Sequence, residues 1–336
     1  MNKKIRSILL LISSLIILSV SLIGCTNNTY DNNLTKVTVS EVTHSVFYAP
    51  QYVAIKLGFF EEEGIDLELI NSQGADKVMT AVLSNQVDIG FAGPEAAIYV
   101  YNEGKEDYAQ VFAQVTQKDG SFLVSRELIE DFKWTDLRGK HILPGRKGGV
   151  PYMTLQYIIE QHGLDINTDL NFDNSISYDT MNSAFAAGTG DFVTIFEPTA
   201  TVFENEGKGY IVASLGEDSG EIPYTAYFTN KSFIEENPEL IQKFVNALYK
   251  GQQWVATHSA SEIAEVLADS FPEVDLKILE TVVNRYKEIE AWKTEPSMTK
   301  ESFDKLQEIM VNAGELTQTA PFEKIINNTF ANKVTK

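Results

Sequence analysis

Apolar and polar residues alternate over residues 36–41 (KVTVSE) and again over 65–70, the two-residue period of a half-buried strand. Between them, residues 50–57 predict a helix, with Pro50 in its first turn and Gly58 as its stop. A helix over 76–83, a strand over 87–92, a helix opened by Gly93-Pro94-Glu95 and a strand over 111–116 complete a first series. A second series begins near Phe122. It has a strand at 141–143, a glycine-rich loop at 145–149 and a helix at 151–161 that Gly163 stops. A helix at 179–187, a strand at 192–196, a helix opened by Glu197-Pro198 and a strand at 210–214 follow. Strands alternating with helices predict α/β architecture with a largely parallel sheet. The two series echo each other: Asp88 and Asp191 each precede an apolar strand and then a proline that starts a helix. Two similar lobes follow from that, each presenting helix starts beyond the C-terminal edge of its strands, where open α/β sheets bind ligands. Residues 222–230 predict an extended return segment. Amphipathic helices then run from the Asn237-Pro238 cap, through a Ser259–Glu262 capping box, to about residue 313. Trp254 and Trp292 are expected to pack within this helical part.

The first 24 residues break the alternation. Lys3, Lys4 and Arg6 precede an apolar run from Ile8 to Leu22 that is short for a membrane span. It ends in Leu22-Ile23-Gly24-Cys25, which resembles a bacterial lipobox. Residues 1–24 are thus expected to be a lipoprotein signal peptide, with Cys25 the lipidated residue. The Asn/Thr-rich stretch to residue 36 reads as a flexible tether.

Composition narrows the chemistry. Cys25 is the only cysteine, which leaves no internal disulfide and no thiolate metal cluster. The 336 residues carry a net charge of −20, which argues against nucleic acid or anionic lipid as partners. With 43% apolar residues, 19 Phe and 14 Tyr, the chain can be stable by its core alone.

The segment from His44 to Leu69 contains Tyr52-Val-Ala, Gly58-Phe-Phe and Gly64-Ile-Asp-Leu. It resembles the opening of ABC-importer solute-binding lipoproteins of the sulfonate/taurine/nitrate and thiamine-pyrimidine-precursor branch. Gly74-Ala75-Asp76, residues 88–94, Asp136 to Lys140, Gly148-Gly149 and Phe196-Glu-Pro198 continue the resemblance in family order. It implies a two-lobed periplasmic-binding-protein-like fold, type II, with C-terminal helices. Lobe one would be 37–117 plus 226–330, lobe two 118–225, and the crossings would lie near 116–122 and 214–225. It also implies a small-molecule ligand and an ABC permease with its ATPase as partners, at the extracytoplasmic face of the cell membrane. We expect a monomer that meets the membrane only through its lipid anchor.

In such a fold the loops after strands enter the cleft. Ser45, Phe47 and Tyr48 lie in the first such loop, where an aromatic pair either walls a ligand or packs inside. Gly74, Gly93, Gly148 and Gly149 sit at helix starts whose free N–H groups attract anions or polar oxygens. Thr180 and Ser183 are candidate hydroxyls, and Tyr152 a further aromatic. Glu95 and Glu197 also sit at helix starts. If both faced the cleft with Phe47, Tyr48 and Tyr152, they would suit an amine or an amino-heteroaromatic ring better than a sulfonate. Arg146 and Lys147 could reverse that forecast, or belong to a solvated loop.

No Ser–His–Asp spacing, HExxH or phosphate-binding loop is present. His44, His141, His162 and His258 are scattered, so we expect no catalytic residue, metal or cofactor. The pyrimidine synthases that the resemblance places on the same fold use iron and a cysteine-rich segment, which this chain lacks. A pyrimidine-synthase-like enzyme and a ligand-sensing lobe for a receptor are the alternatives.

Overall fold

Each alternating segment became a strand, and each proline- or glycine-punctuated segment a helix. A computed structural model describes residues 34–335. Cys25, the expected signal peptide and nearly all of the tether lie outside the described residues. Strand β1 (Thr35–Glu41) leads through a 3-10 turn (Val46–Tyr48) into helix Ala49–Lys56. Gly58, at φ 76°, ends that helix in the left-handed region that glycine adopts without strain. There follow β2 (Ile65–Asn71), helix Ala75–Leu83, β3 (Ile89–Ala92), helix Glu95–Asn102 and β4 (Ala109–Thr116).

The second series comprises β5 (Ser121–Ser125), β6 (His141–Leu143), helix Val150–Gln161 and β7 (Asn171–Phe172). Helix Tyr178–Ala186, β8 (Phe192–Phe196), helix Thr199–Asn205 and β9 (Tyr210–Ser214) complete it, and β10 (Thr225–Asn230) returns. Two five-stranded sheets result, ordered β2-β1-β3-β10-β4 and β7-β6-β8-β5-β9. The chain passes between them twice, after β4 and after β9.

The sheets are less parallel than the helix–strand alternation predicts. β1 pairs parallel with β2 and β3, but β10 runs antiparallel to β3 and β4. Likewise β6 pairs parallel with β7 and β8, and β5 antiparallel to β8 and β9. Parallel neighbours need a long crossover, usually helical. β5 and β10 instead arrive directly from the other sheet, and so run against their neighbours.

The C-terminal helices brace both sheets. Helix Pro238–Thr257 packs on Ala49–Lys56, close enough that a Cβ on Gly251 would lie 2.4 Å from the Pro50 carbonyl oxygen. Helix Leu276–Glu288 touches both the Val46–Tyr48 turn and Thr199–Asn205, while Lys300–Asn312 packs on Val150–Gln161. Trp292 is buried and its indole N–H donates to the Phe47 carbonyl (2.8 Å); Trp254 stacks on His258.

Phe47 is the hub where these parts meet. It is fully buried, with ring centroids 5.2 Å from Tyr286, 5.5 Å from Tyr48 and from Tyr224, and 5.8 Å from Phe196. Gly120, in the first crossing, leaves space for it: a Cβ there would sit 2.4 Å from the ring. Gly120→Ala is therefore expected to destabilise the fold by about 2 kcal/mol through overpacking, read as a lower melting temperature.

Candidate functional site

A cavity of about 300 Å³ lies between the two sheets, beyond strand ends of both. From the first sheet's side come Val42 and Thr43 after β1, the segment 73–77 after β2, Gly93 and Glu95 after β3, and Thr225 of β10. From the other side come Arg146 and Gly149 to Pro151 after β6, residues 174–179 after β7, and Phe196 at the end of β8. Tyr48, Tyr178, Phe196 and Tyr224 give it aromatic walls. The loop after β6 reaches helices of the first side and the C-terminal segment around it. The Tyr99 hydroxyl donates to the Gly148 carbonyl (2.9 Å), Arg146 approaches Asp76 at 3.8 Å, and Lys147 approaches Glu315 at 3.5 Å.

Glu95 is a buried acid in the lining of this cavity with an oxygen that lacks a partner. It opens helix Glu95–Asn102 and is only 2% exposed, and its Oε2 has no hydrogen-bond partner. Its carboxylate folds back over Gly93, where a Cβ would fall 1.9 Å from Oε2. Burial pushes its pKa up from 4.5 to about 7. The nearby Arg146 charge and the backbone amides of Glu95 and Ala96 act the other way. A carboxyl at that balance can accept a hydrogen bond as the anion or donate one as the acid.

Five of the expected site residues line this cavity: Tyr48, Gly74, Gly93, Glu95 and Gly149. The others lie elsewhere. Phe47 belongs to the interior, because the crossing segments and Tyr286 cover its ring. Gly148 gives its carbonyl to Tyr99, at φ 76°. Tyr152 is buried edge-on against Phe172, its centroid 5.0 Å away. Thr180 and Ser183 are exposed on helix Tyr178–Ala186, and the Thr180 hydroxyl pairs with that of Ser177 (2.8 Å).

Glu197 departs furthest from expectation, since it does not face the main cavity with Glu95. Its side chain is wholly buried beside Arg285, with Oε1 2.8 Å from the guanidinium. Both of its oxygens also accept hydrogen bonds from Thr201, from the amide (2.8 Å) and the hydroxyl (2.8 Å). Arg285 binds Glu204 too, at 2.8 Å. The Ser45 hydroxyl donates to the Glu197 carbonyl (2.7 Å), so Ser45 ties the first sheet's loop to the second sheet. Ser45 and Glu197 border a small polar side chamber of about 60 Å³ that shares Thr43, Tyr178 and Phe196 with the main cavity. His44 also borders this chamber. Its Nδ1 faces Glu41 (3.0 Å) and its Nε2 the Ser270 carbonyl (2.8 Å), the satisfied pattern of a structural histidine.

Sequence reasoning did not single out Tyr178, Tyr224, Asp119 or Arg285. The only signal at Tyr178 is the polar run Asn174-Ser-Ile-Ser177 after a strand, which reads simply as a turn. Among the described residues no three His, Cys, Asp or Glu side chains come together as a metal site. No helix among them is long and apolar enough to cross a membrane.

Comparison with known proteins places these features in a family. The model of the family described as "NMT1/THI5 like" matches residues 46–261. The chain is 44% identical over 305 residues to the "Putative binding protein YtlA" of Bacillus subtilis, covering 91% of each chain. It is 24% identical over 256 residues to a 4-amino-5-hydroxymethyl-2-methylpyrimidine phosphate synthase of Aspergillus parasiticus, covering 71% of this chain and 70% of the synthase. Among solved structures, it superposes with a TM-score of 0.74 on the zinc-bound ligand-binding component of an ABC-type import system from Staphylococcus aureus. That match is 12% identical and covers 89% of this chain and 99% of the other. It also superposes, with a TM-score of 0.67 at 14% identity and over 88% of this chain and 97% of the other, on a Candida albicans protein with the generic periplasmic binding protein fold. The fold is that of the periplasmic binding proteins, and the chain belongs to the NMT1/THI5-like family.

Proposed function

We propose that this protein is the extracytoplasmic solute-binding lipoprotein of an ABC importer, held at the cell membrane through Cys25. Lobe one (37–117 with 226–330) and lobe two (118–225) close on a small organic molecule, and the closed monomer delivers it to a permease. The observation that carries the reading is Glu95, a buried acid with an unpartnered Oε2 in the lining of an aromatic-walled cavity that both sheets build. An isolated buried polar atom costs about 1–3 kcal/mol, and a ligand donor would recover it. A flat molecule with an amino or ring N–H group meets that requirement between Tyr48, Tyr178, Phe196 and Tyr224. Arg146 and the helix starts at Gly74 and Gly149 then suit an acceptor group on the same molecule. Binding would favour closure because both lobes contribute contacts only when they meet. The kinship to a synthase keeps an enzyme in view. The sole cysteine lies far from the cavity in sequence, and the cavity offers no cluster of metal donors among the described residues.

A thermal-shift panel on the full chain in detergent tests this, using aminopyrimidines, polyamines, taurine, alkanesulfonates and nitrate. Ligand at about 100 times its Kd stabilises by about 2.7 kcal/mol. We expect aminopyrimidine-type compounds to raise the melting temperature. Sulfonate or nitrate hits that survive Glu95→Gln unchanged would contradict the amino-bearing ligand. A panel with no hit would count against the binding reading itself.

A further inference from the structure

Two helix starts that the first sheet presents to the cavity are covered by carboxylates of their own first turns. Gly74 precedes helix Ala75–Leu83, and Asp76 is the acid of that helix's first turn. A Cβ on Gly74 would lie 2.8 Å from Asp76 Oδ1, so the carboxylate stands over the start of its own helix. Glu95 repeats this at helix Glu95–Asn102, folded back over Gly93 with a Cβ there 1.9 Å from Oε2. Burial pushes its pKa up, and the Glu95 and Ala96 amides at the helix start oppose this by favouring the ionised form. On the cavity's other side, helix Val150–Gln161 has no acid in its first turn.

Arg146 serves both acids. Its Nε lies 3.8 Å from Asp76 Oδ1, and its charge also favours the ionised form of Glu95. All three side chains belong to the cavity lining. A helix start carries about half a positive charge, so two starts and one guanidinium bring about two, which the two carboxylates cancel. The other charged residues of the lining, Lys77 and Asp179, are of opposite sign. Asp179 is held ionised by the Ser177 side chain first and by the Lys77 charge in part. An anion entering here finds no uncompensated positive charge on the first sheet's side, and loses its water beside two carboxylates.

We infer that Asp76 and Glu95 are specificity-determining residues: as built-in anions they hold the two helix starts and Arg146 that an anionic ligand would need, and so restrict the cavity to solutes without negative charge. An uncharged acceptor edge still suits these N–H groups, because it brings no net charge to a balanced site. Glu95 also receives the ligand's donor, whereas Asp76 acts by exclusion alone, through Arg146. This role deepens the reading of the cavity as the solute site and rests on it.

The test is a gain of anion binding. Ethanesulfonate and nitrate are titrated calorimetrically against the full chain in detergent at pH 8, where Glu95 is ionised. The wild type should bind neither measurably. Asp76→Asn frees Arg146 and should tighten ethanesulfonate binding about threefold, and adding Glu95→Gln should bring the gain to about tenfold or more. Asp76 is 59% exposed, so Asp76→Asn carries the test should the double variant fail to fold. Asp131→Asn removes the same charge at a site 90% exposed and outside the lining, and should gain nothing. Anion binding by the wild type as tight as by the double variant would overturn the inference. So would variants without a gain, or an equal gain in Asp131→Asn. The reading of the cavity as a solute site fails separately, when no compound of the thermal panel binds the wild type.

Discussion

Replacing Arg285 by alanine is expected to destabilise the protein by about 3 kcal/mol, because it strands a buried carboxylate. The Glu197 side chain is wholly buried, and Arg285 is the cation that reaches it, at 2.8 Å. The Thr201 amide and hydroxyl would remain, which keeps the loss at the low end for a broken buried pair. The same guanidinium holds Glu204, and the adjacent Tyr286 hydroxyl donates to the Gly120 carbonyl (3.0 Å) and accepts from the Glu197 amide (3.2 Å). Arg285 thus anchors helix Leu276–Glu288 to the second sheet's side of the cavity. For a chain of this size the loss lowers the melting temperature by about 5 °C. Adding Glu197→Gln should recover part of it, since the orphaned charge disappears. A double variant no more stable than Arg285→Ala would show that the arginine acts through packing alone.

Glu95→Gln is expected to do two opposite things. It should weaken binding of the compound selected by the thermal panel about tenfold, the loss of a charge-assisted hydrogen bond. It should also stabilise the ligand-free protein at pH 8. The folded pKa of about 7 lies above the ordinary 4.5, so the folded state keeps a proton that the unfolded chain has lost. Wild-type stability therefore falls as pH rises from about 4.5 to about 7 and levels off above that. A shift of that size corresponds to on the order of 3 kcal/mol. Glutamine removes this dependence, so its gain in melting temperature should be clear at pH 8 and small at pH 5. Stability held back by a group that a ligand needs is the usual cost of a binding site. Equal gains at both pH values would contradict the assignment of burial as the cause.

The elements that sequence made legible are those with a period or punctuation. Residues 36–41 and 65–70 alternate and form β1 and β2, while Pro50 and Gly58 bracket the helix between them. β5 (SFLVS) is buried at all five positions, so it has no exposed face to alternate with, and only the sheet reveals it. Its antiparallel placement has no local signature either, because it follows from where the chain enters the sheet.

The site divides in the same way. Gly93 and Glu95 were legible because a glycine-proline helix start after a strand is a local pattern. Glu197 carries the same local pattern and yet lies outside the main cavity's lining, beside the small side chamber. What turns it is Arg285, 88 residues further along the chain, which no local reading can pair with it. Phe47 and Tyr48 are neighbours of like chemistry, and the fold puts one ring in the core and the other in the cavity wall. Removing Glu197 from the main cavity also changes the ligand forecast. One carboxyl facing an arginine suits a neutral ring with donor and acceptor edges better than a dication.

The most direct test of the central claim is a crystal structure of the full-length protein with the compound that most raises its melting temperature. The account predicts ligand density between the two sheets, stacked among Tyr48, Tyr178, Phe196 and Tyr224, with a ligand N–H within hydrogen-bonding distance of Glu95 Oε2. Density outside this cavity, or a ligand inside it that leaves Oε2 without a partner, would contradict the account.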